Sequence, residues 1–213
     1  MPDASPEFQF ADLRQQHDAA VLGMWVFLAT EVLFFGGLIL AYWVYRTADP
    51  AGFALAARHT RIVVGAINTA ILLTSSFAVA WAVAAARLAA GRMAAVLLAV
   101  AALLGVIFLG LKGVEYRLEY DEHLLPGLGF AFGGAHARTA LQFFSIYFVA
   151  TGLHAVHVAI GTVVLGVIAL RASRNAYSER YHAPVSVAGL YWHFVDVVWI
   201  FLFALIYLPG RSG

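Results

Sequence analysis

The 213-residue sequence contains no cysteine. Disulfides, iron–sulfur clusters, a thiolate nucleophile and a cysteine-ligated copper centre are therefore excluded from this chain. Charge is also scarce. Asp, Glu, Lys and Arg make up 12% of the residues, about half the fraction usual in soluble domains. The formal net charge of +1 is too small to favour nucleic acid as a partner. Neither a GxxxxGK[ST] phosphate loop nor an HExxH zinc pair occurs. Strand-length segments of alternating polarity are absent, which argues against an outer-membrane barrel. No internal repeat is visible.

What is abundant is apolar surface. Hydrophobic residues account for 62% of the chain and the mean hydropathy is +0.83. Long uncharged runs match the roughly 20 residues that a helix needs to cross a bilayer. They predict an all-α integral membrane bundle of five transmembrane helices, at 21–45, 62–86, 93–111, 139–170 and 187–208. That leaves a polar N-terminal tail over 1–20, a transmembrane domain over 21–208 and a short C-terminal tail over 209–213. A separate soluble domain has no room. The tail is acidic, with Asp3, Glu7, Asp12 and Asp18 against Arg14, so it is not expected to act as a cleaved signal peptide.

The breaks between helices carry ordinary punctuation. Asp49, Pro50 and Gly52 end the first run, and the segment to Arg61 is a short loop with room for a surface helix. A tight turn holding Gly91 joins the second and third runs. The charged, tyrosine-rich part of 112–138 reads as a helix end at the interface, and its Pro-Gly-rich remainder as loop. Lys and Arg divide almost evenly between the two sides. The Arg87–Arg92 turn and the 171–186 connection are net positive and 112–138 is net negative, which leans toward a cytoplasmic N-terminus.

Few polar residues lie deep. Glu31 sits mid-way along the first run, where a carboxylate must be protonated, paired or turned into the bundle. It can serve as a packing carboxyl, a proton-transfer group or a lipid or water contact. His154 and His157 lie at helical spacing on one face near mid-membrane. Metal ligands, haem ligands and members of a hydrogen-bonded network with Glu31 are the open readings. One turn apart, they are poorly placed as opposite axial ligands of one haem. His193 and Asp196 share the same spacing, so a His–Asp hydrogen bond is expected to offset part of their burial cost. No serine or threonine completes a triad. Trp25, Tyr42, Trp43, Tyr116, Tyr120, Tyr191, Trp192 and Tyr207 lie toward helix ends and read as interface anchors. Gly36, Gly37, Gly152, Gly161 and Gly166 can admit close helix or lipid contacts. A bundle with an internal polar network and no assembled cofactor site points to an accessory subunit more than to a stand-alone enzyme.

Five segments resemble one family, in order along the chain. YFVATGLHAVHVAIGTVVLG and YWHFVDVVWIFLFALIY are similar to helices of subunit III of the haem–copper respiratory oxidases. WVFLATEVLFFGG resembles its carboxylate-bearing segment, NTAILLTSSFAVAWA the helix that follows, and GLKGVEYRLEY the acidic, aromatic end of the next. The resemblance implies a subunit with no catalytic residue, haem or metal of its own. Haem and copper would lie in partner subunits. It implies packing against catalytic subunit I, contact with other subunits including subunit II and with membrane phospholipids, and support of proton uptake. It places the complex in the cell inner membrane.

Glu31 matches the family's buried carboxylate, and His154 and His157 the GxHxxH histidines. Trp192, His193 and Asp196 of the WHFxD segment, and Asn68, match positions of structural or lipid-contacting role. The longer family form has seven helices, and the first two have no counterpart here, so a lipid cleft built partly from them is not expected within this chain. Glutamate rather than aspartate at position 31 favours a cytochrome c oxidase over a quinol oxidase or a subunit associated with nitric oxide reductase. A transporter or haem-binding cytochrome is the alternative of another class.

Overall fold

A computed structural model describes residues 8–127, 129–174, 177 and 182–209. The remaining parts of the two predicted tails and of the 171–186 connection lie outside the described residues. Among the described residues there are six helices: α1 (Leu13–Ala48), α2 (Pro50–Ala57), α3 (Ile62–Arg87), α4 (Gly91–Asp121), α5 (Ala137–Ser173) and α6 (Ala183–Tyr207). Five are long and apolar enough to cross a membrane; α2 is the short exception.

The helices outrun the apolar runs. α1 starts inside the predicted polar tail because Asp12 caps it, its carboxylate accepting from the Gln15 backbone N–H at 2.7 Å. Its 36 residues span roughly 54 Å, more than the hydrocarbon thickness alone requires. Asp49 then acts as the cap of α2, and Pro50 takes the first helical turn, where its missing N–H costs nothing. α2 is no surface helix: Phe53, Ala56 and Ala57 are buried, and the Phe53 ring meets Tyr42 and Phe143 edge-on at 5.5 and 5.6 Å.

α4 departs from the sequence reading in the burial of its charged end, expected at the interface. It continues ten residues past the predicted end at 111, carrying Lys112, Glu115 and Glu119 into the bundle. Charge near a helix end signals an interface only when the charges lack partners, and these face the core. In the turn before α4 the left-handed residue is Ala89, at φ 56°, while Gly91 is already helical.

α3, α4, α5 and α6 form the core, each packing on two of the others. Alanines at 78, 82, 85, 86, 94, 95 and 101 are buried and let α3 and α4 approach closely. Gly105 and Gly161 frame the Trp192 indole. A Cβ added at either would stand 2.9 or 2.8 Å from its ring. Gly36, Gly37 and Gly166 face open space, so of the expected contact glycines Gly161 alone meets a tightly packed neighbour; Gly152 meets the Tyr116 hydroxyl at 3.8 Å.

α1 leans on α5 and α6 through a thin seam. Leu28, Phe35 and Tyr42 are its buried residues, a heptad stripe, and the Tyr42 hydroxyl donates to the Leu205 carbonyl. Leu22, Val26, Val32, Leu33, Leu40 and Val44 remain exposed along its outer side.

Candidate functional site

The mid-membrane site lies between α1 and α5. Glu31 and His157 each sit about 27–30 Å along a helix. His157 Nε2 lies 3.1 Å from Glu31 Oε2, and both side chains are 16% exposed. His157 Nδ1 lies 2.8 Å from the Leu153 carbonyl oxygen. A carbonyl only accepts, so Nδ1 carries the hydrogen. The Glu31–His157 contact therefore holds one proton, either on the carboxyl or on the imidazole. The Tyr191 hydroxyl fixes the same turn by donating to the His157 carbonyl at 3.0 Å, and the Phe35 ring covers the imidazole at 5.3 Å.

His154 does not join that pair. Three residues earlier, it turns toward α4 and α6. It stacks on Trp199 at 5.2 Å and meets the edge of Phe108 at 5.7 Å. It is fully buried, and neither ring nitrogen has a hydrogen-bond partner. α5 is flanked on two sides, so residues three apart on it reach different neighbours. Among the described residues no group of three or more His, Asp or Glu side chains converges as a metal ligand set.

The expected His193–Asp196 hydrogen bond does not form. His193 Nδ1 pairs instead with Ser76 Oγ on α3, at 2.6 Å. Asp196 is buried, and its Oδ1 has no hydrogen-bond partner. The imidazole is thus engaged by a serine from the neighbouring helix. Asn68 is buried with both amide atoms unpaired, and the Trp192 Nε1 is likewise unpaired. Beside Asn68, Thr69 accepts from Trp199 Nε1 at 3.0 Å.

A second polar site, unforeseen in the sequence, is built on the last turns of α4. Lys112 Nζ donates to Glu115 Oε2 at 2.9 Å, to the Tyr147 hydroxyl at 3.1 Å and to the Tyr207 hydroxyl at 3.0 Å. The Tyr207 hydroxyl donates to Glu115 Oε1 at 2.8 Å. The Tyr116 and Thr151 hydroxyls pair at 2.6 Å. Of the predicted interface aromatics, Tyr42, Tyr191, Trp192 and Tyr207 are in fact buried, while Trp25, Trp43 and Tyr120 are exposed. The Tyr207 hydroxyl is drawn inward by the ion pair. The spacing of 112, 115 and 119 on one face of a continuing helix was the signal available for this site.

A third cluster clamps the α1–α2 corner to the start of α5. Asp49 accepts from Gly52 N at 2.9 Å and from Thr139 Oγ1 at 2.7 Å, and its Oδ2 is 2.7 Å from His136 Nδ1. The Gly52 N–H, then the Thr139 hydroxyl, then His136 hold the Asp49 carboxyl down at about 2, from an ordinary 3.8. A depressed carboxylate stabilises the fold above its ordinary value and loses that contribution as pH falls toward the folded one. The clamp should therefore be intact above about pH 4 and release between about 4 and 2. Acid titration of thermal unfolding tests this, and Asp49→Asn should flatten the dependence in that window.

These features define a class. The protein is a multi-pass membrane bundle with polar clusters between its helices and a carboxyl–imidazole pair at mid-depth. A family model for cytochrome c oxidase subunit III matches residues 8–211. The cytochrome c oxidase subunit 3 of Thermostichus vulcanus is 36% identical over 199 residues, covering 91% of this chain and 89% of the relative. That of Gadus morhua is 35% identical over 194 residues, covering 88% and 69%. The quinol oxidase subunit 3 of Bacillus subtilis is 31% identical over 193 residues, covering 91% and 88%. The chain belongs to the cytochrome c oxidase subunit III family, the subunit III of haem–copper oxidases.

Proposed function

We propose that this chain is the non-catalytic subunit III of a proton-translocating cytochrome c oxidase in the cell inner membrane, with its N-terminus in the cytoplasm. It packs against subunit I, meets subunit II and membrane phospholipids, and leaves haem and copper to its partners. Its contribution is to stabilise subunit I during turnover and to support proton uptake. The observation that carries this reading is the 3.1 Å contact between Glu31 Oε2 and His157 Nε2. It is a carboxyl–imidazole pair at mid-depth. The exposed apolar side of α1 supports a lipid or subunit neighbour.

A quinol oxidase is the second reading, favoured by the Bacillus subtilis relative. Oxygen uptake by the purified complex with reduced cytochrome c or with quinol as donor separates the two.

Substitution at Glu31 tests the first reading. Glu31→Gln keeps a hydrogen bond to His157 and should leave the fold intact. Glu31→Ala leaves the imidazole nitrogen without its partner, at a cost of about 1–3 kcal/mol. Initial oxygen reduction should survive both changes, while inactivation during sustained turnover accelerates or proton uptake slows. Immediate loss of oxygen reduction in a fully assembled Glu31→Gln complex would contradict a supporting role.

A further inference from the structure

At the C-terminal end of α4 one buried cation stands beside two buried carboxyls. The Lys112 and Glu115 side chains are 3% and 0% exposed, and Glu119 is buried to the same degree. The three ammonium hydrogens of Lys112 are taken by Glu115, Tyr147 and Tyr207. Both oxygens of Glu115 are also occupied, one by Lys112 and one by Tyr207. Glu119 lies one turn further along the same face. Both its oxygens are buried without a hydrogen-bond partner, and the Tyr147 phenol stands beside it short of a full hydrogen bond.

The charges balance only one way. Lys112 and Glu115 neutralise each other. An ionised Glu119 would add a second negative charge in a dry site where the neighbouring donor, the Tyr147 phenol, makes no full hydrogen bond to it. The other titratable neighbours bring no positive charge: Tyr116 from α4, Tyr147 from α5 and Tyr207 from α6 are neutral phenols at physiological pH. Glu122, just past the helix, is itself acidic and is paired with Arg61.

We propose that Glu119 is a proton-binding site of this subunit, its carboxyl held in the acid form beside the Lys112–Glu115 pair. The site is separate from Glu31, which belongs to α1 and is paired with His157. The bound proton lets the polar end of α4 pass into the bundle without net charge.

The test is infrared difference spectroscopy of the purified oxidase complex, native against Glu119→Gln. The amide replaces a neutral acid of the same shape, so the variant should assemble like the native complex. The difference spectrum should show the loss of a carboxylic acid C=O stretch with no loss of carboxylate stretch. Loss of a carboxylate stretch instead would overturn the proposal. Failure of Glu119→Gln to assemble would overturn it too, because an isosteric amide should be tolerated where a neutral acid sits. Glu119→Lys gives an independent check: a site that holds a neutral group rejects a second buried cation, and normal assembly of that variant would count against the proposal.

Discussion

Lys112→Met should release the subunit from its complex or melt it well below the native protein. The ammonium holds Glu115 and two tyrosine hydroxyls, with distances of 2.9, 3.1 and 3.0 Å. Removing it leaves the Glu115 carboxylate buried with Tyr207 as its remaining donor. Breaking a buried pair by deleting one partner costs about 3–5 kcal/mol, whereas replacing both partners is far milder. Lys112→Met combined with Glu115→Gln should therefore recover much of the lost stability. Thermal unfolding of the detergent-solubilised complex, followed by retention of this chain, reads both variants. Equal losses in the single and double variants would show that the pair is not an energetic unit.

Trp192→Ala should be comparably severe for a different reason. The indole is 1% exposed and fills the space between Gly105 on α4 and Gly161 on α5. Lipid offers no hydrophobic drive between helices, so their association depends on such close packing. Truncating a buried tryptophan to alanine costs about 3–5 kcal/mol through lost contacts and the cavity left behind. The reciprocal change, Gly161→Leu, should fail as well, since even a Cβ there would lie 2.8 Å from the Trp192 ring. Trp192→Phe should lose much less than either. Thermal unfolding of the three variants orders them, and a Trp192→Ala protein as stable as Trp192→Phe would contradict the wedge role.

The all-α membrane class was legible because five apolar runs leave little else for the backbone to do in lipid. The helix ends were less so. Asp12 caps α1 from inside a segment that reads as a tail, and α4 continues through residues whose charges imitate an interface. Glu31 and His157 stood out as polar groups in apolar helices, and the structure brings them within 3.1 Å. His154 and His193 were equally visible, yet their partners were not. Trp199 and Ser76 are contributed by other helices, and helical spacing within one segment carries no information about which neighbour each face meets. The Lys112 cluster was missed for the same reason. Two of its members, Tyr147 and Tyr207, are distant in sequence and look like ordinary aromatics until the helices are packed.

Membership in an oxidase complex is tested most directly by native mass spectrometry of this chain, extracted from its own membranes in mild detergent. The expected result is one copy of the chain bound to a larger haem-bearing membrane subunit, with the haem carried by that partner. Recovery of monomers or homo-oligomers alone, or of haem bound to this chain itself, would contradict the assignment as a non-catalytic subunit III.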